Sequence, residues 1–397
     1  MTQSPQEHTA PPRPDPVREA FNGVRAEIGK AVVGQDQAVT GMLIALLCRS
    51  HVLLEGVPGV AKTLLVRSFA AAVSLDSARV QFTPDLMPSD VTGSLVYDAS
   101  VSDFSFRPGP VFTNILIADE INRTPPKTQS ALLEAMEEHQ VSVGGRSRSL
   151  PEPFMVAATE NPVEYEGTYP LPEAQLDRFL FKLVLDLPSR EHEFEILDRH
   201  ARGFDAARLS AAGLRPVADA DLIARAREAI AGIYIAPQII TYVVDLARAT
   251  RQAPSLALGV SPRGATRMLG AARAHAWLSG RNYVTPDDVK ALTHMALGHR
   301  VILRPEAQMD GLDVAGVLDS ILATTEVPRC MPTRWSEVRR IHLTLLRPRP
   351  NQESHANLAQ ASDLGADDHR PHCRGGAPHQ SHGLHPGSGR RSLYRRA

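Results

Sequence analysis

Residues 56–63 read GVPGVAKT, close to the phosphate-cradling pattern G-x-x-x-x-G-K-[ST], with Ala61 where the last glycine should stand. A glycine-rich turn between a strand and a helix aims several backbone N–H groups at an anion. The residues in reach are Gly56, Val57, Pro58, Gly59, Val60, Ala61, Lys62, Thr63 and Leu64. In the pattern, Lys62 takes the β- and γ-phosphates and the Thr63 hydroxyl binds Mg²⁺. Ala is a better helix former than Gly, so Ala61 is expected in the first helical turn with φ below zero. In isolation such a stretch is also an ordinary turn and helix start.

A second cluster, ILIADE, ends a four-residue apolar run in Asp119 and Glu120. Adjacent carboxylates at the end of a buried strand are costly without a cation or polar partners. A Mg²⁺-nucleotide accounts for both, with Asp119 on the metal and Glu120 as general base toward the attacking water. A third cluster, ATENP, places Asn161 after the apolar run FMVAA, where it can orient that water beside the γ-phosphate.

The elements that must hold these residues can be read from apolar runs. His51–Leu54, Val80–Phe82, Ile115–Ala118, Phe154–Ala158 and Phe179–Leu185 are five strand candidates, and Leu64–Val73 reads as a helix. Such runs alternating with helical sequence predict a parallel sheet covered on both faces. Residues 93–106 and 140–150 read instead as antiparallel hairpins, the second turning on Gly144-Gly145. Beyond Pro188 the pattern is helical. Ile223, Ala226 and Ile230 share one face, and Ser261-Pro262 and Thr285-Pro286 mark helix starts.

The predicted division is a disordered segment at 1–16, an α/β nucleotide-binding core at 17–189, an all-helical lid at 190–328, and a disordered tail at 329–397. The tail carries the charge asymmetry. Residues 331–397 hold 11 Arg, no Lys and 5 acids, leaving 32 basic and 39 acidic side chains in residues 1–330. A mildly acidic body argues against duplex-DNA binding. The tail's composition is also consistent with out-of-frame translation after a natural end near Val327-Pro328. Three distant cysteines, no apolar leader in the first twenty residues and no membrane-length apolar run predict a cytoplasmic chain without a membrane span.

Taken together, VVGQD, LLEGVPGVAKT, the ILIADEINRTPPKTQSALLEAMEE block, ATENPVEYEGTYPLPEAQLDRF and GVSPRGATRMLG resemble the MoxR family of AAA+ ATPases over residues 17–328. The family's loop usually carries Ala before the lysine. The resemblance implies an AAA+ P-loop core, ATP and Mg²⁺, with ATP between the core and lid of one subunit. Val33, Gly34 and Gln35 then lie near adenine, Asn161 is the first sensor, Arg178 the arginine finger entering a neighbour's site, and Arg263 the second sensor. Arg123 is a weaker candidate for a contact across the boundary. The hairpins match inserts that line a central pore in related rings. Implied partners are further copies in a ring, a hexamer by expectation, and a client protein complex, often with a von Willebrand factor A-domain protein. The rival readings are a nucleic-acid-stimulated motor and a nucleotide-binding scaffold. Glu160 departs from the family, which often has Gln there; on a strand end its side chain could face toward the nucleotide or away from it.

Overall fold

The computed structural model describes residues 15–100, 102–162, 168–209 and 212–328. The readings made for residues 1–14 and for the tail beyond 328 lie outside the described residues.

The described residues open with two helices, α1 (Pro16–Gly29) and α2 (Asp36–Leu47), followed by β1 (His51–Glu55), α3 (Lys62–Ala72) and β2 (Ser77–Gln81). A short α4 (Pro88–Thr92) leads into the hairpin β3 (Gly93–Asp98) and β4 (Asp103–Pro108). Next come β5 (Ile115–Asp119), α5 (Pro126–Glu138), the hairpin β6 (Gln140–Val143) and β7 (Arg146–Ser149), and β8 (Met155–Glu160). After α6 (Glu173–Leu176) and β9 (Phe179–Val184) the chain is almost wholly helical. That part runs α7 (Arg190–Ala201), α8 (Ala220–Ala231), α9 (Pro237–Gln252), α10 (Pro262–Leu278), α11 (Pro286–Leu297), α12 (Pro305–Met309) and α13 (Val314–Thr324).

The five predicted strands form one parallel sheet in the order β2-β5-β8-β1-β9. Side chains alternate across it. Val52, Leu54, Ile115, Ile117, Met155 and Ala157 face one hydrophobic core, while Leu53, Leu116, Ala118, Val156 and Ala158 face the other. The first core continues without a break into Ile223, Ile239, Val243, Met268 and Leu292 of the later helices. The sheet and the helical region thus share buried apolar surface. The second core lies under α5 and the hairpins.

Both hairpins form as the sequence predicts. Gly144 and Gly145 carry φ of 61° and 73°, the two positive angles a two-residue turn requires. The hairpins also touch: the Arg148 guanidinium lies 3.9 Å from the Phe106 ring centroid. At the β3–β4 tip the cross-strand pair Tyr97 and Phe104 stays largely exposed, with ring centroids 5.3 Å apart.

The helix starts hold as well. Ser261 accepts a bond from Gly264 N–H, and Thr285 forms a capping box with Asp288. Asp288 is fully buried and accepts from both Arg281 and Thr285, with the His275 ring at 2.6 Å. Burial pushes its pKa up, but the bonds from Arg281, His275 and Thr285 outweigh this and hold the carboxyl far below its usual range. With the folded pKa depressed, the stabilisation is present above the ordinary carboxylate pKa and is lost as pH falls through and below that range. Asp288→Ala leaves Arg281 without its buried partner and is expected to cost about 3–5 kcal/mol in denaturant unfolding. A loss under about 1 kcal/mol would show the network to be dispensable.

Candidate nucleotide site

Parallel strands bring their carboxyl ends to one edge, where ligands bind in open α/β sheets. Here that edge carries the loop after β1, Asp119 at the end of β5, and Thr159 and Asn161 at the end of β8. Gly56 is required by close approach, since a Cβ there would sit 2.7 Å from the Leu185 carbonyl oxygen. Gly59 has φ +91°, which suits a residue without Cβ.

Ala61 differs from expectation. It caps α3 with φ 63° and ψ 27°, in the left-handed region rather than the first helical turn. The reason is local: the loop must reverse before α3 begins at Lys62, and a left-handed residue next to right-handed ones makes the concave N–H nest that anions occupy. Ala in this conformation costs about 1–2 kcal/mol.

Asp119 is buried, and its carboxylate is shared. Thr63 Oγ1 donates to Oδ2 at 3.2 Å, Thr159 Oγ1 donates to Oδ1 at 3.0 Å, and Arg79 Nε pairs with Oδ2 at 2.6 Å. Glu120 adopts φ 57°, a second left-handed non-glycine residue, and its N–H donates to Thr159 Oγ1 at 2.9 Å. Its carboxylate accepts from Gln81 Nε2 at 2.5 Å and pairs with Arg123 Nε at 3.3 Å. Arg123 is therefore engaged within its own chain. Lys62 Nζ donates to the carbonyls of Gly56 and of Glu160, the latter at 3.2 Å. Asn161 is buried at the end of β8.

Arg79 and Gln81 escaped the sequence reading. They lie two apart on β2, hence on one face, and β2 pairs with β5 so that Gln81 stands opposite Asp119. Two polar residues at i, i+2 in ARVQF were the available signal.

Glu160 has a clear placement. Its register partner on β1 is Glu55, which pairs with Lys182 at 2.5 Å. By alternation these three side chains sit on the sheet face opposite Thr159 and Asp119. Burial pushes the Glu160 pKa up; Lys182 lowers it and Glu55 raises it. The extra acid thus faces away from the phosphate loop.

Beside the loop is a cleft of about 170 Å³ lined by Val33, Gln35, Gly59, Val60, Ala61 and Leu64. Its far wall is Pro188 together with Ile196, His200 and Phe204, contributed by α7 and the turn after it; no motif pointed to these. Gly34 lines an adjoining cleft of about 310 Å³.

Arg178 and Arg263 lie elsewhere. Arg178 precedes β9, whose first residue pairs with His51, the first of β1. The two arginines share Glu137: Arg178 Nε donates to Oε2 and Arg263 Nη2 to Oε1, each at 2.9 Å. Glu137 follows Met136, whose carbonyl accepts from His51 Nε2 at 3.0 Å. All three therefore occupy the edge where strands begin, roughly 13 Å of strand from the phosphate loop. The expectation that the lid would bring Arg263 over its own chain's nucleotide is not met.

Residues 51–181 match the family model described as ATPase family associated with various cellular activities (AAA), and residues 248–321 match the AAA lid domain. Chaperone MoxR1 of Mycobacterium tuberculosis is 42% identical over 346 residues, covering 82% of this chain and 90% of that protein. The chain belongs to the MoxR family of AAA+ ATPases. Another relative, the uncharacterised YeaC of Bacillus subtilis, is 48% identical over 76% of this chain and 92% of its own length. A crystal structure from Cytophaga hutchinsonii, described as a candidate ATPase, superposes with TM-score 0.72 at 38% identity, covering 79% of this chain and 96% of that one. As a MoxR-family AAA+ protein the chain is an ATPase, and among its described residues no helix is long and apolar enough to cross a membrane.

Replacing Ala61 by Gly removes the left-handed strain but adds unfolded-state freedom worth about 0.4–1 kcal/mol. Ala61→Gly is therefore expected to stabilise the protein by about 0.5–1 kcal/mol in denaturant unfolding. A destabilised variant would contradict the strain assignment.

Proposed function

We propose that the protein is a Mg²⁺-dependent ATP hydrolase whose active sites are completed between copies in a ring, and that it acts as a chaperone-like factor on a client protein complex. The working parts are an α/β core at 17–189 and a helical lid at 190–328. The observation that carries the ring reading is the polarity of the sheet. The phosphate loop, Asp119 and Glu120 sit at one edge, while Arg178 and Arg263 sit at the other. One chain holds both halves of a site, but at opposite edges.

The residues at the loop fit the nucleotide and its ion. Thr63 and Asp119 offer a hydroxyl and a carboxylate, the hard oxygen donors Mg²⁺ prefers. When bound, Mg²⁺ supplies Lewis-acid neutralisation of phosphate charge. Lys62 turns from the loop carbonyls to the phosphates. Val33, Gln35 and the α7 side chains enclose the base. Glu120 takes the proton of the attacking water, and Gln81 and Arg123 hold its carboxylate in place. Asn161 orients that water. Arg178 and Arg263 of a neighbour stabilise the transferring phosphoryl group.

The client role draws on the chaperone name of the mycobacterial relative and on the exposed Tyr97–Phe104 tip, an apolar contact a polypeptide can meet. A von Willebrand factor A-domain partner belongs to the same reading. The nucleic-acid alternative is weakened at the hairpins. Arg148 is stacked on Phe106. The tip carries the aromatic pair Tyr97 and Phe104, but Asp98 and Asp103 flank it instead of basic residues.

Because a trans arginine contributes about 10³–10⁵ in rate, specific activity should fall steeply on dilution. Mixing Lys62→Ala chains with Arg178→Ala chains, each inactive alone, should restore part of the turnover, since one supplies arginines to the other's intact loop. No restoration, with turnover independent of concentration, would refute the ring reading. Glu120→Gln should retain ATP while losing about 10²–10⁴ in kcat. Affinity capture with that variant is the route to the client.

A further inference from the structure

The edge where strands begin carries more positive charge than its carboxylates balance. Arg178, Arg263, Arg267 and Arg300 gather there against Asp177 and Glu137. Two of the four are structural. Arg300 is buried, pairs with Asp177 at 2.7 Å, and donates to the carbonyls of Phe179 and Leu180 at 2.6 and 3.0 Å. Arg267 donates to the Arg178 carbonyl at 2.6 Å, and burial with the charges of Arg263 and Arg300 brings it down to about 10.

Arg178 and Arg263 are different. They come from elements 85 positions apart, keep partly exposed side chains, and converge on the two oxygens of one carboxylate. Arg263 stands in the first turn of α10, where the helix macrodipole disfavours an unpaired cation, so it needs an anion. Glu137 is also partly exposed, near the end of α5, and the other carboxylate near Arg263 is Asp177, at 4.0 Å and already paired with Arg300. Its partial burial raises its pKa, but the bonds and charges of Arg178 and Arg263 outweigh that and hold it below the ordinary carboxylate value.

We propose that Glu137 is an internal stand-in for the neighbouring subunit's γ-phosphate: it holds Arg178 and Arg263 together on one pair of oxygens until that phosphate replaces it. The proposal rests on the ring reading above. Glu137 is then a positioning residue that competes with the incoming site. It keeps the two arginines aligned when no neighbour is present, and it sets the concentration at which ATP-bound chains assemble.

The test uses the full chain carrying Glu120→Gln, so that ATP persists, with self-association followed by sedimentation. Adding Glu137→Gln should lower the association midpoint in ATP by about three- to ten-fold, because the arginines no longer leave two ion pairs behind. The midpoint in ADP, which lacks the competing phosphate, should stay where it was. The ATP shift should vanish when Arg178 and Arg263 are both changed to Ala, and Glu138→Gln, on the exposed neighbour, should produce none. Glu137→Asp, which keeps the charge but is too short to span both arginines, should fall between the parent and Glu137→Gln, and it serves if the latter does not fold. An unmoved midpoint in ATP, or an equal shift in ADP, would overturn the proposal while leaving the ring intact. Failure of the Glu120→Gln chain to associate with ATP at all would instead refute the ring reading, and this inference with it.

Discussion

A carboxylate buried at the end of a strand has to be surrounded by donors, and much of the site follows from that requirement at Asp119. Thr63, Thr159 and Arg79 come from α3, β8 and β2, so one charge fixes three elements at the same edge. Thr159 also receives the Glu120 N–H, which helps hold the next residue in a left-handed turn. Left-handed non-glycine residues persist where the surroundings over-determine them, commonly at functional sites. Ala61, in the loop after β1, and Glu120, following β5, are such a pair.

The polarity of a parallel sheet supplies the second constraint. Every strand starts at one edge and finishes at the other, so a group placed before β9 cannot meet a group placed after β1. Arg178 and Lys62 are separated by topology alone. That separation makes self-assembly an economical way to complete a site, because translation of one copy past another can bring unlike edges together.

Much of this was legible from residue types and periods. Five apolar runs gave five strands, and Gly144-Gly145 gave a hairpin, because backbone patterns of short range determine them. The phosphate loop, Asp119, Glu120 and Asn161 were readable as motifs at strand ends. Three things were not. The φ of Ala61 depends on how the loop turns, which helix propensity does not encode. The α7 wall of the cleft beside the loop depends on tertiary packing of a segment with no motif. The place of Arg263 depends on how α10 docks, and its first turn meets Glu137 at the edge where the strands begin. Arg79 and Gln81 fell between these cases, visible as an i, i+2 pair but meaningless until β2 is known to lie beside β5.

The helix that walls the cleft beside the phosphate loop has no fully buried residue along its twelve positions, and Phe194 and Leu197 are open to solvent. Its firm ties are a Ser189 cap and Arg199, which donates to the Gly29 and Lys30 carbonyls at 2.8 Å. Few buried contacts mean a low free energy of local opening, so amides of this helix should exchange with solvent long before those of the sheet. A base seated against Ile196 and His200 would add contacts the polypeptide lacks. On the proposed reading, part of the nucleotide's binding free energy would be used to order the helix that encloses it.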